Sequence, residues 1–463
     1  MTEQGVRWTA EQVLALAPDD ASRKAGAKLG GAGPWSQTGG SASGSVWGLC
    51  KGSGSTPYRT VVDLTGPAYK CSCPSRKFPC KHALGLLLLW AAEDFGEPGE
   101  APDWAGAWLT ERAAKAARSA TKATGPVDEE AAKRRAERRA ARISAGVTEL
   151  ERRLADLLRG GLAGQQQAGY AAWEETAARM VDAQAPGLAA RVRELGTIPS
   201  CGPGWPARML EEGALLHLLN RGWLGVAGLP EPLAATVRSR VGLPGTAAEG
   251  EVVRDRWLVL AMRDSVSPDG RLTTRRIWLR GLGSGRPALV LDFGPPGRPP
   301  SLALPVGLVL EAEARFRPGS AGLRADLGGW GHPGAAAPPA VAGGVHGRAV
   351  PCPEVPAGVS TGAALEAYGA ALREDPWLDS WPVVLGPVVP IPGELGWQLA
   401  DAEGTSALPV ALSGSGNRSR SGLWQLAALS GGGPVTVFGE CGHRGFTPLT
   451  AWQPGCPEPV VLV

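Results

Sequence analysis

The sequence predicts a multidomain α+β protein with short strands and a helix at the amino terminus, a helical middle, and antiparallel β-rich modules towards the carboxyl end. Three observations carry this. Residues 69–90, YKCSCPSRKFPCKHALGLLLLW, crowd three cysteines and a histidine between strand-like sequence and a leucine run. Residues 104–162 are dominated by Ala, Arg, Lys and Glu, with apolar residues recurring at helical spacing. From about residue 250, short β-branched and aromatic runs alternate with Gly/Pro turn sequences. A chain of 463 residues has length for about two to four domains, and four segments are read: 1–95, 104–240, 250–320 and 361–463. Hydrophobic residues at 43% and charged residues at 20% suit globular folding, and 66 glycines and 41 prolines supply many turns. A formal charge of +3 is near neutral, so attraction to a polyanion would have to come from a local patch.

Taken in order, Thr9-Ala-Glu-Gln12 is a capping-box pattern ahead of Val13, Leu14 and Leu16, so a short helix is expected near residue 10. The Gly/Ser-rich run from Gly30 to Gly44 breaks that pattern. Two strands are expected next, around Val46 to Leu49 and over Tyr58 to Leu64, separated by Gly52-Ser-Gly-Ser-Thr-Pro57. The apolar segment Ala83 to Ala92 is about half the roughly twenty residues that span a bilayer, and reads as a core helix. After the linker at 96–103, a helical region runs to a stop at Gly160-Gly161, with Val147, Leu150, Leu154, Leu157 and Leu158 in helical register.

Two more helices are expected: Gln166 to Asp182, presenting Tyr170, Trp173, Ala177 and Met180, and Ala207 to Asn220, presenting Leu210, Leu215 and Leu218. Arg256 to Arg263 and Arg271 to Arg280 flank Ser267-Pro-Asp-Gly270 as a hairpin, extended by Ala288 to Phe293 and Val306 to Phe316. Stretches 281–300 and 328–358 read as loops or linkers. A helix from Thr361 to Leu372 precedes the last module. There Val383 to Val389, Trp397 to Ala400, Ala407 to Leu412, Leu423 to Leu429, Val435 to Phe438 and Thr447 to Trp452 are spaced as strands of a small antiparallel sheet or barrel.

The chemistry concentrates in Cys71-Ser-Cys73, six residues, then Cys80-Lys-His82, a C-x-C-x6-C-x-H pattern. Four such ligands make a closed tetrahedral zinc site, with Zn–S near ~2.3 Å and Zn–N near ~2.0 Å, so one structural Zn2+ is expected and not a catalytic one. Residues two apart on an extended strand share a face, so Cys71 and Cys73 are expected to grip the ion from a strand, and Cys80 and His82 likewise after the turn from Pro74 to Pro79. The other cysteines, Cys50, Cys201, Cys352, Cys441 and Cys456, are scattered, as reduced thiols of a cytoplasmic protein would be. MTEQGVRWTAEQVLAL lacks the positive and then apolar stretches of an export signal, which also points to the cytoplasm.

With its metal pattern complete at Cys71, Cys73, Cys80 and His82, strands before it and a helix after it, the chain resembles the SWIM zinc-finger family. Trp47 to Ser55 and Ala83 to Leu87 resemble bacterial members, and Ala178 to Leu188 and Phe438 to Trp452 do so more weakly. The resemblance implies zinc binding and engagement of DNA or protein, with no common reaction. It also implies, for similar bacterial proteins, partnership with AAA+ ATPases and von Willebrand A-type proteins.

Two stretches qualify as a contact surface. Lys70, Arg76, Lys77 and Lys81 surround the metal ligands with no Asp or Glu between Thr65 and Ala92, and are expected to contact a nucleic acid or a protein partner. Tyr69 and Phe78 either stack on bases or fill the core beneath the zinc. The second stretch holds Arg112, Lys115, Arg118, Lys122, Lys133, Arg134, Arg135, Arg138, Arg139 and Arg142. It reads either as a phosphate-binding patch or as a solvated helix with i,i+4 pairs Glu129–Lys133 and Glu130–Arg134.

Signals for catalysis are thin. Gly358-Val-Ser-Thr-Gly362 matches G-x-S-x-G, but Pro351 to Pro356 stands where a nucleophile elbow needs a strand. Neither a P-loop nor H-E-x-x-H occurs. Cys441-Gly-His443 with Cys456 falls short of a full ligand set; His217 reads as a core or boundary residue; His332 and His346 lie in Gly/Pro-rich sequence; Arg179 and Asp182 are spaced to pair on a helix. The expectation is therefore a non-enzymatic, zinc-binding interaction module for DNA or protein. The alternative is an adaptor or regulatory partner of an AAA+ ATPase or von Willebrand A-type complex without nucleic-acid contact, and the third reading is an uncharacterised hydrolase.

Overall fold

The computed structural model describes residues 8–462 apart from 19, 42–43, 53, 65–67, 76, 78, 93–98, 123–128, 244, 246–249, 268–271, 295–299, 301, 303, 329–349, 394–395 and 412–416. Thr9 caps α1 (Ala10–Ala15) through the expected capping box: its hydroxyl accepts from the Gln12 N–H at 3.2 Å, and the Gln12 side chain accepts from the Thr9 N–H at 2.9 Å. After α2 (Asp20–Ala27) comes an antiparallel sheet in sequence order: β1 (Trp35–Gly40), β2 (Ser45–Cys50), β3 (Tyr58–Asp63) and β4 (Ala68–Cys71). Strand β1 lies inside the glycine-rich run that the sequence marks as a break. Glycine is needed there because a Cβ on Gly39 would sit 2.9 Å from the Trp47 indole, so the bare backbone makes room for the ring on the neighbouring strand.

Helix α3 (Lys81–Ala91) packs on one face of this sheet, with every residue from His82 to Trp90 buried. A helix apolar all round must be covered on several sides, and α1, α2 and the sheet do so. Helix α4 (Asp103–Lys122) covers the other face: Ala105, Trp104 and Trp108 meet Trp47 and Val61, and Arg112 Nε bonds Asp63 at 2.9 Å.

The middle of the chain is helical, with α5 (Glu129–Gly160), α6 (Gln165–Asp182), α7 (Pro186–Thr197), α8 (Trp205–Leu224) and α9 (Glu231–Val241). Helix α5 stops at the expected glycine pair, Gly161 having φ +76°. Its Ile143, Val147, Leu150 and Leu154 are buried with Trp173, Ala177 and Met180 of α6, whereas Leu158 is exposed. The side chain of Tyr170 and the segment with Gly125-Pro126 lie outside the described residues. Helices α7 and α9 were not anticipated, since Pro186 and Pro232 resemble breaks in sequence; each lies in a first turn, where its missing N–H costs nothing.

Helix α8 buries Met209, Leu216, Leu219 and Trp223 in place of the expected Leu210, Leu215 and Leu218; Leu210 and Leu218 are exposed and Leu215 is partly buried. Two leucine stripes interlace here at helical period, and the polar anchor decides between them: Asn220 Nδ2 donates to Glu151 Oε1 at 2.7 Å, turning the Leu216–Trp223 side inward. His217 is correspondingly on the surface, not in the core, 2.6 Å from Glu151. Arg179 pairs with Glu149 of α5 and with Glu175 one turn back, not with Asp182.

The second sheet comprises β5 (Val252–Val266), β6 (Thr273–Gly281), β7 (Pro287–Gly294), β8 (Leu308–Phe316), β9 (Ala325–Gly328) and β10 (Val350–Pro351). Its order is β10-β8-β5-β6-β7, with β9 on β8 and every pairing antiparallel. The expected hairpin is β5–β6, its turn residues 268–271 lying outside the described residues. Strand β7 is the expected Ala288 to Phe293 strand, lying within the 281–300 stretch whose remainder reads as loop. Trp257 to Ala261 are all buried, which requires both faces of β5 to be covered. Trp257 and Val259 join one continuous core with Trp8, Val13, Val46, Leu84 and Leu87, while Leu258 and Leu260 meet Phe438, Leu449 and Trp452 on the far side.

Helix α10 (Thr361–Glu374) leads into β11 (Ser380–Ile391), β12 (Gln398–Asp401), β13 (Ala407–Pro409), α11 (Asn417–Ser430), β14 (Val435–Gly442), β15 (Gly445–Trp452) and β16 (Val460–Val461). The third sheet runs β13-β12-β11-β14-β15-β16, and a parallel bridge from Val410 to Phe446 draws its ends together into a barrel-like curl. Leu423 to Leu429, expected as a strand, is the body of α11. Leu423 and Leu426, three apart, are buried side chains on it, and a short apolar run does not by itself separate strand from helix. Trp377, in the turn after α10, enters the helical core and donates from Nε1 to the Leu215 carbonyl at 2.8 Å, while fully buried Asp375 pairs with Arg240 at 2.6 Å. Among the described residues no helix is long and apolar enough to cross a membrane.

Candidate metal centre and adjoining groove

The metal centre is assembled where β4 ends and α3 begins. Register pairs Thr60 with Cys71 and Val61 with Lys70. Cys71 therefore faces the α3 side with Thr60, whose hydroxyl lies 3.3 Å from the Cys71 sulfur. Strand geometry ends at Cys71, so Cys73 lies beyond the strand and not on it as expected. The ladder is continued for one step by Ser72, whose N–H donates to the Arg59 carbonyl at 3.0 Å and whose hydroxyl accepts from the Arg59 N–H at 2.9 Å. Cys80 and His82 are not an extended pair either. Cys80 has extended dihedrals (φ −74°, ψ 166°) as the N-cap of α3, and His82 sits in its first turn, so the positive end of the helix dipole faces the thiols.

The four ligand atoms of Cys71, Cys73, Cys80 and His82 lie within 4.8 Å of one another, and Cys71 Sγ is 3.6 Å from His82 Nδ1. In a tetrahedron with the usual zinc bond lengths that edge is about 3.5 Å. Electrostatics agree. Hydrogen bonding with Cys80 pulls the Cys71 thiol down to about 4 against the opposing effect of burial, helped by His82, Thr60 and the Cys73 N–H. Burial raises Cys73, while the Cys71 hydrogen bond and burial raise Cys80. One thiolate is thus favoured and two more in the same space are not, and a dication is what lets all three ionise. The donor set and spacing fit one structural zinc, with all four positions filled by protein and none left for a substrate.

Two residues support the ligands unforeseen: Thr60, and Tyr58, whose ring lies 4.7 Å from the His82 ring at 32°. The only sequence signal was period two along β3, which puts both on the metal side.

Beside the centre, a groove of about 610 Å³ runs between α2 and the metal loop, lined by Ala21, Ala25 and Leu29 on one wall and by Lys51, Tyr58, Cys73, Lys77 and Lys81 on the other. No carboxylate is among the described lining residues. Of the expected contact residues, Lys77 and Lys81 reach this groove. Lys70 is exposed on the opposite face of the sheet, towards α4, and Arg76 and Phe78 lie outside the described residues. Lys51 was not anticipated. Tyr69 packs into the core shared with the second sheet, its hydroxyl buried without a hydrogen-bond partner among the described residues, so it fills the core and does not present a ring to solvent.

In the second basic stretch Lys133, Arg134, Arg135 and Arg138 are all exposed on α5, as either reading of that stretch requires. Arg139 and Arg142 are structural, bonding the Gln184 carbonyl at 3.2 Å and the Gln184 side chain at 2.8 Å. The side chains of Lys115, Arg118, Lys122 and Glu129 lie outside the described residues. Ser360 of the G-x-S-x-G match is the N-cap of α10, its hydroxyl accepting from the Ala363 N–H at 3.2 Å. Cys441 is buried in the third sheet, and among the described residues the only group of three or more metal-competent side chains is the one at Cys71. His332 and His346 lie outside the described residues.

Two family models match the chain: one described as SWIM zinc finger over residues 58–91, and one described as SWIM-associated four-helix bundle domain over residues 138–241. The first spans β3 to α3 and contains all four ligands; the second spans most of α5 through α9. No curated protein and no solved structure matches the chain.

Proposed function

We propose that this SWIM-type zinc-finger protein is a non-catalytic recognition module in which zinc holds a lysine-lined groove in place for nucleic acid, DNA in the first instance. When bound, the zinc neutralises the thiolates and couples their assembly to folding. The chain's own residues do the rest: Thr60 and Tyr58 orient ligands, and Lys51, Lys77 and Lys81 present ammonium groups along one groove. The observation that supports this reading is that groove, basic and free of carboxylates among its described lining residues, on a chain whose net charge is only +3. Its test is DNA binding as a function of salt. Binding should weaken steeply with salt and on Lys77→Glu with Lys81→Glu while zinc is retained; binding that is absent or indifferent to salt rejects it.

A second reading is favoured by a different observation. Leu210 and Leu218, two turns apart on α8, are exposed at 48% and 46% and form an apolar stripe on the outside of the bundle. That stripe suits a protein contact, as an adaptor to an AAA+ ATPase or von Willebrand A-type complex would need. Affinity purification after nuclease treatment separates the readings: recovery of the same protein partner, lost on Leu210→Asp, favours the adaptor. A hydrolase stands third; turnover abolished by Ser360→Ala or His443→Ala would promote it.

A further inference from the structure

From the shape and lining of the groove we infer that its ligand is single-stranded nucleic acid, entered by one extended strand, and not the outside of a duplex; this rests on the proposed nucleic-acid function. A volume of about 610 Å³ is within the range of sites that enclose a small molecule, roughly 300–1,000 Å³, which is room for a nucleotide or two. The three lysines line a concavity bounded by α2 and are not spread along a convex face. A duplex is a convex rod whose phosphates flank grooves about 6 and 12 Å wide, and it would meet only the rim of such a concavity. A single strand bends into it and brings bases as well as phosphates.

The lining also offers what a base requires. Ala21 and Ala25 of α2 and Leu29 just beyond its end give the lining apolar surface, and the Tyr58 ring, held against His82, lines the groove beside the lysines. Apolar surface, an aromatic ring and a row of ammonium groups in one groove are the ingredients of sequence-tolerant single-strand binding. Gly52, also in the lining, leaves room for that ring: a Cβ there would lie 2.6 Å from Tyr58. The zinc holds the second wall, since Cys73 and His82 are both ligands and lining residues.

The test is fluorescence anisotropy of the full zinc-loaded chain with a short labelled oligothymidine, alone and annealed to its complement. Single-strand binding should be at least about tenfold tighter, with a slope of log affinity against log salt of about −2 for three neutralised phosphates. Lys51→Glu is the chosen variant because it lies outside the ligand loop; it should weaken the single strand about tenfold or more with the zinc content unchanged. Equal or tighter binding of duplex, weakened by Lys51→Glu, overturns the single-strand inference and leaves the nucleic-acid reading standing. Single-strand binding indifferent to Lys51→Glu and to Lys77→Glu overturns the placement in this groove. Absence of binding to either form overturns this inference and the nucleic-acid reading together.

Discussion

Thr60 shows how much of the metal centre depends on a residue that binds no metal. Its hydroxyl is fully buried and 3.3 Å from the Cys71 sulfur. Thr60→Val keeps the shape and removes the hydroxyl, so zinc affinity is expected to fall about 10- to 100-fold in a chelator competition while the far-UV spectrum is unchanged. The ligands themselves were legible, because scarce residue types at tight spacing announce a site. Thr60, Tyr58 and Lys51 were not, because their roles come from cross-strand register and from loops meeting in space. Glu440, on β14, makes a different point. Burial pushes its carboxyl up, partly offset by Arg276, the hydrogen bond from Ser380 and Arg263. A carboxyl raised in the folded state holds its proton longer than in the unfolded chain, so it lowers stability as pH rises from about 4.3 through its raised value. Glu440→Gln should flatten the fall in urea midpoint over that window; an unchanged pH profile would remove Glu440 as its source.

At the scale of elements, α3 ties chemistry to packing, since its first turn carries His82 and its remainder is core. Leu87→Ala should cost about 2–5 kcal/mol in chemical denaturation. Cys80→Ser should go further, releasing the zinc and loosening the first and second sheets, which share the core α3 occupies, while the curled third sheet stays folded. Zinc content near one per chain in the native protein and near zero in the variant checks the metal, and hydrogen exchange checks the extent. Long periodic helices and the β5–β6 hairpin could be read from sequence because periodicity persists over many residues. What misled was local ambiguity: glycines in β1 that make room for Trp47, prolines that start α7 and α9, and the apolar run of α11, whose buried pair is spaced by three. On α8, two leucine stripes had equal claim, and Asn220 bonding to Glu151 chose between them.

Across the whole molecule, Trp377 and Asp375 connect the helical region to the third sheet, and β5 connects the third sheet to the finger. Trp377→Ala should cost about 3–5 kcal/mol and split a single thermal transition into two, because it removes a tryptophan that enters the helical core from outside it. A single transition at unchanged temperature would show the latch to be dispensable. None of this was legible beforehand: Trp377 sits 154 residues beyond the Trp223 with which it shares a core, and only the tertiary fold brings them together. The two-sided burial of β5 has a wider consequence. A metal finger is commonly pictured as a portable cassette, to be cut out and grafted. Here a fragment ending at residue 95 would expose to water apolar side chains of the core that the finger shares with Trp257 and Val259. It would carry every ligand for zinc and still be sticky, so a graft of this finger has to bring along the strands that complete its core.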